Sequence, residues 1–291
     1  MLNVSFKSIA GVIVCLAFHI TGFAFSDSLK SAGGKSANLN SNVTIIRQAN
    51  MLYPEMLEGK QVLYADYVEK FAVNRRAYLQ RTYLRSKKFF PKATAILKKY
   101  KVPQEFAVLL ALESAFNPNA VSSAGAVGYW QIMDDVAKEY GLRIVENQHK
   151  KVLPNAKTIG KQPVKSVAKK AAAPVDDRKN FQKSTHTAAR YLKDRLRNLN
   201  NDWLLVAASY NWGVGNVWRA MQATGKTNPD FWDIKGRLPA ETRTYVMNFI
   251  ALNVVFQNYQ NFLNNKMYFK DVLAPGKVDK DVASKAVFEI Q

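Results

Sequence analysis

From Ile45 to Leu263, apolar residues recur three and four positions apart, glycine and proline are sparse, and no convincing run alternates apolar with polar residues. This spacing belongs to amphipathic helices and leaves little room for a sheet. One segment tightens the constraint. WLLVAASY (203–210) is apolar all round, so as a helix it has no face to offer water and belongs inside a packed bundle. Asp202 stands where its N-cap should be. The stretch 184–200 is amphipathic, with Ala188, Tyr191, Leu192, Leu196 and Leu199 inward. Pro239 occupies a first helical position, followed by Glu241 in the first turn and by Tyr245, Val246, Phe249 and Ile250 along one face. Over 64–100, Tyr64, Tyr67, Val68 and Phe71 share a face, and Pro91 is expected to start a new helix. The folded part is therefore expected to be mainly α.

The segments around this helical text have other characters. Lys7, the apolar run Ile9–Phe18 and the small residues of Ala24-Phe25-Ser26 read as a secretory signal over 1–26, with an uncleaved anchor as the competing reading. The only cysteine, Cys15, lies inside that segment, and Val14 before it argues against lipid attachment. Removal of the signal leaves no thiol, which excludes disulfides, cysteine-based zinc sites and a cysteine nucleophile. The histidines, His19, His149 and His186, are too scattered for a metal cluster, so neither metal nor cofactor is expected. Residues 27–44 read as a flexible linker. The stretch 149–174 holds seven lysines, three prolines and no acid, and reads as a flexible basic insertion (148–175). Its charge also fits a tether to anionic cell-envelope polymers. Overall, 42 Lys+Arg against 22 Asp+Glu give +20, a balance that favours polyanionic surroundings without selecting among them.

Chemistry is concentrated near Glu113. Seven apolar residues, Phe106–Leu112, lead into it, and Asn117-Pro118 then breaks the helix. An apolar setting and the negative end of the helix would both raise its pKa, giving a general acid near neutrality. The opposing reading is a solvent-facing carboxylate at a fraying helix end. The loop that follows is rich in small residues (Ser122, Ser123, Ala124, Gly125, Gly128) and ends in Tyr129-Trp130-Gln131. Small residues admit a ligand close to the backbone, and aromatic faces suit sugar rings, although a Tyr-Trp pair serves equally well as core.

Four stretches, in order, carry a family resemblance: Glu113-Ser114, GYWQIM (128–133), AASYNWGVGNV (207–217) and LPAETRTYV (238–246). Together they resemble the motifs of soluble-lytic-transglycosylase-type domains, most closely the murein lytic transglycosylases of the D type. The likeness covers roughly 89–259, the basic insertion excepted. It implies a lysozyme-like helical domain that cleaves the MurNAc–GlcNAc β-1,4 bond of peptidoglycan glycan strands. It also implies Glu113 as the sole catalytic acid/base, with Ser122, Tyr129, Gln131, Tyr210, Asn211 and Tyr245 around the substrate. Trp212 departs from the pattern, where a small residue is commoner, and so do Asp134-Asp135 after the second motif.

The organisation expected on this basis is a signal (1–26), a linker (27–44), a helical N-terminal extension (45–88), a catalytic domain (89–263) and a C-terminal tail (264–291). Glu241 is expected to support structure, ionised by the helix dipole and satisfying free backbone N–H groups, while Asp134 and Asp135 cap the next helix. With no evident second carboxylate, the expected route is substrate-assisted and ends in a 1,6-anhydro ring. A goose-type lysozyme-like hydrolase and a non-catalytic wall-binding module are the alternatives. Nucleic acid is not an expected partner, because the charge comes with an export signal and without a nucleic-acid-binding motif. The protein is expected in the periplasm or cell envelope.

Overall fold

The computed structural model describes residues 43–145 and 175–275. The signal expected over 1–26 and nearly all of the basic insertion lie outside the described residues. Ten α-helices follow one another in the described chain. The first two are α1 (Ala65–Asn74) and α2 (Arg76–Lys99). They are followed by α3 (Leu109–Ser114) and α4 (Asp134–Glu139), separated by the loop 115–133. Beyond the insertion come α5 (Phe181–Leu196), α6 (Trp203–Trp212) and α7 (Val214–Gln222). The single turn α8 (Phe231–Ile234), the long α9 (Ala240–Gln257) and α10 (Tyr259–Leu263) complete the helical part.

Two helices without a polar face form the centre, as their sequences require. In α6, Leu204 through Ser209 are buried without interruption, and α9 buries Val246, Phe249, Ile250 and Val254 among others. α9 packs on α1, α3 and α6, and α2 covers α5 and the 3₁₀ turn Gln104–Val108. Asp202 caps α6 as expected, accepting from the N–H groups of Leu204 (2.7 Å) and Leu205 (3.2 Å). Its second oxygen accepts from Phe231 N–H at 2.9 Å, so one carboxylate ties the start of α6 to α8.

Several local expectations are overturned. Pro91 does not start a helix; it lies inside α2. The missing N–H costs one ladder bond, but Pro91 is exposed, so the orphaned carbonyl side faces water. Phe90 before it and Ala93, Ile96 and Leu97 after it are packed into one core, which holds the helix together across the proline. The helix leading to Glu113 is a 3₁₀ turn followed by six α residues, and it ends at Ser114, before Asn117-Pro118. Asp134 and Asp135 are first-turn residues of α4 behind Met133, with no side-chain cap. Glu241 makes no side-chain cap on α9 and is exposed, which leaves it only the dipole of the helix start.

The described residues also include one two-stranded sheet. β1 (Val43–Arg47) pairs antiparallel with β2 (Val272–Pro275), with Val43 opposite Pro275 and a register irregularity between Ile45 and Arg47. This ribbon brings together the beginning and end of the described chain. Asn50 reinforces it from outside: its backbone N–H donates to the Tyr268 carbonyl (3.0 Å), and its Oδ1 accepts from Tyr268 N–H (2.9 Å).

The two chain segments flanking the insertion are fastened to each other. Asp177 N–H donates to the Arg143 carbonyl at 2.8 Å. In return, the Asp177 carboxylate accepts from Arg143 N–H (3.2 Å), Nε (3.1 Å) and Nη2 (3.3 Å). Arg143 and Lys183 together hold the Asp177 carboxyl well below the usual carboxylate range.

Candidate active site

α3 is six residues long and buries Leu109, Leu110, Ala111 and Ser114, which leaves Glu113 on the side not claimed by the core. The helix stops abruptly. Ala115 (φ 49°) and Phe116 (φ 65°) are both left-handed, and their N–H groups donate to Ala111 (3.1 Å) and Leu110 (3.0 Å). That is the hydrogen-bond pattern of a helix stop normally made with glycine. Here packing imposes it, because the Phe116 ring stacks on Phe89 at 5.2 Å with the planes 13° apart.

The chain then folds into a loop held from several directions. Ser114 Oγ donates to the Tyr129 carbonyl (2.9 Å) and Tyr210 Oη to the Trp130 carbonyl (2.7 Å). The Trp130 indole, fully buried, donates to Thr185 Oγ1 on α5 (2.9 Å). Gln131, itself left-handed at φ 46°, spends its Nε2 on the carbonyls of Ala120 (3.1 Å) and Gly128 (2.9 Å). Ser122 Oγ accepts from Ala126 N–H at 3.0 Å. Gly128 is required twice over: its φ is +84°, and a Cβ there would lie 2.2 Å from the Arg178 carbonyl oxygen. Arg178 is fully buried and grips Asp176 (Nη2–Oδ2 2.7 Å), Asp134 and the Ile132 carbonyl (3.3 Å), pinning the far end of the loop to α4.

Against this frame stands the carboxyl of Glu113. Tyr245, on α9, donates its hydroxyl hydrogen to Glu113 Oε1. Burial pushes the Glu113 pKa up to about 7, and the Tyr245 hydrogen bond opposes that rise. Tyr210, on α6, is close enough to feel it: burial, and next the charge of Glu113, push its hydroxyl well above the usual tyrosine range. The two helices carrying these tyrosines are locked together where Thr242 Oγ1 donates to Asn211 Oδ1 at 2.8 Å. Glu113 itself is neither sealed from solvent nor fully exposed, as a proton donor to an incoming ligand must be. Among the described residues no second carboxylate contributes to its shift. Tyr210 also lines, with Gln131, Ile132, Met133, Thr187 and Tyr191, a small open cleft of about 50 Å³ whose wall does not include Glu113.

The structure thus brings together Glu113, Tyr210 and Tyr245, with Gln131 sharing the cleft wall with Tyr210. Ser122 Oγ and Asn211 Oδ1 are engaged within the protein. The Tyr129 ring packs between Phe89 (5.6 Å) and Phe181 (5.2 Å). Glu241 has no part in the cluster. Reading the residues in order did not reveal the roles of Ser114, Thr185, Thr242 or Arg178. Ser114 offered a signal, as a small hydroxyl beside the only acid of an apolar run. Arg178, within DDRKN, looks like any solvated charge cluster.

The transglycosylase SLT domain family matches residues 92–232. Membrane-bound lytic murein transglycosylase D of Escherichia coli is 32% identical over 191 residues, which is 64% of this chain and 35% of that protein. The chain therefore spans about a third of that relative's length. Among solved structures, an inactive mutant of the lytic transglycosylase Slt from Pseudomonas aeruginosa aligns over 62% of this chain and 26% of its own, at 19% identity and a TM-score of 0.40. A soluble lytic transglycosylase from Escherichia coli aligns over 57% and 24%, at 22% identity and a TM-score of 0.38.

Proposed function

We propose that this protein, whose residues 92–232 match the transglycosylase SLT domain family, is a peptidoglycan lytic transglycosylase. It cleaves the MurNAc–GlcNAc β-1,4 bond and leaves 1,6-anhydro-MurNAc ends. One observation carries the reading: a partly exposed carboxyl, with its pKa raised to about 7 and with no second carboxylate contributing among the described residues, is held by a tyrosine hydroxyl. A group so poised donates a proton and takes one back at neutral pH.

In the first step the protonated Glu113 gives its proton to the glycosidic oxygen as the C1–O bond breaks. The carbonyl oxygen of the sugar's 2-acetamido group closes on C1 in place of the second carboxylate that most glycosidases use. In the second step ionised Glu113 takes the proton of the C6 hydroxyl, O6 attacks C1, and the acetamido oxygen leaves. No water is consumed, and Glu113 ends protonated. Since Tyr245 occupies Oε1, the mobile proton belongs on Oε2. Ser122, Gln131, Tyr129 and Asn211 act by fixing the shape of the groove, and Tyr210 by holding the loop at Trp130. The export signal read in 1–26 supports a location in the periplasm or cell envelope.

Mass spectrometry of digested peptidoglycan tests the proposal. Anhydro-ended muropeptides are expected from the wild type and none from Glu113→Gln. Reducing-end products would instead make the protein a hydrolase.

A further inference from the structure

α2 holds eight basic residues and no acid in 24 positions. Its inward side, with Leu79, Ala93, Ile96 and Leu97, belongs to the core. On the outward side Arg81, Arg85, Lys88, Lys92 and Lys99 succeed one another at intervals of four, three, four and seven, and all five are exposed. These intervals keep them on one face, in a stripe about 27 Å long. Four surface lysines elsewhere have acidic partners: Lys60 with Asp230, Lys183 with Asp177, Lys226 with Asp233 and Lys270 with Asp66. Among the described residues none of the five on α2 forms an ion pair. The stripe starts beside the catalytic centre. Arg85 Nη1 donates to the carbonyl of Ala115 (3.3 Å), two residues past Glu113. Lys88 sits 5.7 Å over the ring of Phe89, which stacks on Phe116.

We infer that this face of α2 is an exosite for carboxylates, and that it holds the acidic peptide stems of a glycan strand whose sugars lie at Glu113. The inference rests on the proposed action on peptidoglycan and narrows it to peptide-bearing strands. A run of unpaired cations beside the site raises the local concentration of a polyanion and orients it before chemistry. A lipid surface fits less well. A helix that adsorbs to a bilayer turns its apolar face to the lipid, whereas α2 buries that face and exposes only Leu84 along the stripe.

The test combines Arg81→Glu, Lys88→Glu and Lys92→Glu in a Glu113→Gln background, so that the wall is not consumed. Folding is checked by thermal denaturation, and the corresponding triple Gln variant is used should the reversal fail to fold. Affinity for intact sacculi is expected to fall about tenfold at low ionic strength. Amidating the wall carboxylates should weaken the parent to a similar degree and cost the variant nothing further. Unchanged affinity for native sacculi would overturn the inference, as would an equal loss on amidated sacculi. Stripe-dependent binding to anionic phospholipid vesicles, with sacculus affinity unmoved, would overturn it too. Failure of the lytic reading would show separately, as missing anhydro ends in a wild-type digest, and would leave these affinities unaffected.

Discussion

Tyr245 donates its hydroxyl hydrogen to the carboxyl of Glu113, 132 positions earlier in the chain. The contact joins α9 to α3 and sets the proton affinity of the acid. Burial alone would carry Glu113 further from the ordinary carboxylate range, and the tyrosine limits that rise to about 7.

Removing the hydroxyl should therefore move a pH profile in a predictable direction. In Tyr245→Phe the Glu113 pKa rises above 7, so the alkaline limb of kcat/KM shifts to higher pH. The rate at neutral pH should fall about ten- to a hundredfold, because the carboxylate formed in the first step loses its donor. A pH–rate series on both proteins checks this, and an unmoved alkaline limb would rule it out.

Glu113 should also leave a mark on stability. Its folded pKa, about 7, lies above the ordinary value of 4.5. Its contribution to stability is therefore intact below about pH 4.5 and lost as pH climbs through 7. Glu113→Gln abolishes this dependence. Denaturant melts should find the variant more stable than wild type by about 1–3 kcal/mol at pH 8, after allowance for partial solvent access, with little difference at pH 4. Equal stability at both pH values would contradict the burial of this acid.

Gly128→Ala tests the loop. The new methyl would meet the Arg178 backbone carbonyl, and the φ of +84° disfavours any side chain. A loss of about 3 kcal/mol or more is expected, together with loss of lytic activity. A Tm within a degree or two of wild type would mean that the loop approaches Arg178 less closely.

Joining the flanks directly tests the Arg143–Asp177 fastening. Replacing 147–174 with a few Gly/Ser residues should leave Tm within about 3 °C, since the two segments already meet and shortening a loop changes closure entropy only slowly. In the full-length protein Asp177→Ala should speed proteolysis of the insertion's flanks. Collapse of the shortened protein would show that the insertion itself contributes to the fold.

Much of the fold was legible because α5 carries a 3.6-residue pattern, α6 is apolar all round, and both α6 and α9 carry local punctuation at their starts. Asp202, predicted to cap α6, does so and additionally holds Phe231. Pro91 misled because a missing N–H is a local cost, while the contacts of Phe90, Ala93 and Leu97 that offset it are not local. The β1–β2 ribbon was hidden for a similar reason: five residues of strand mean little until their partner, at the other end of the chain, is known. At the site, apolar context and motif order pointed to Glu113, and the geometry adds its tyrosine partner. What sequence could not supply was direction. It could not tell that Gln131 turns its amide into the loop, or that the Tyr129 ring stays with Phe89 and Phe181.

The order Asp177-Arg178 has a mechanical meaning. Arg178 touches the loop 115–133, its carbonyl against Gly128 and its guanidinium on Ile132. Asp177, one residue nearer the Lys-rich segment, is bolted to Arg143 by four hydrogen bonds. A tug arriving along that segment meets the bolt first and is diverted into the neighbouring chain, as a cable gland spares the terminal behind it.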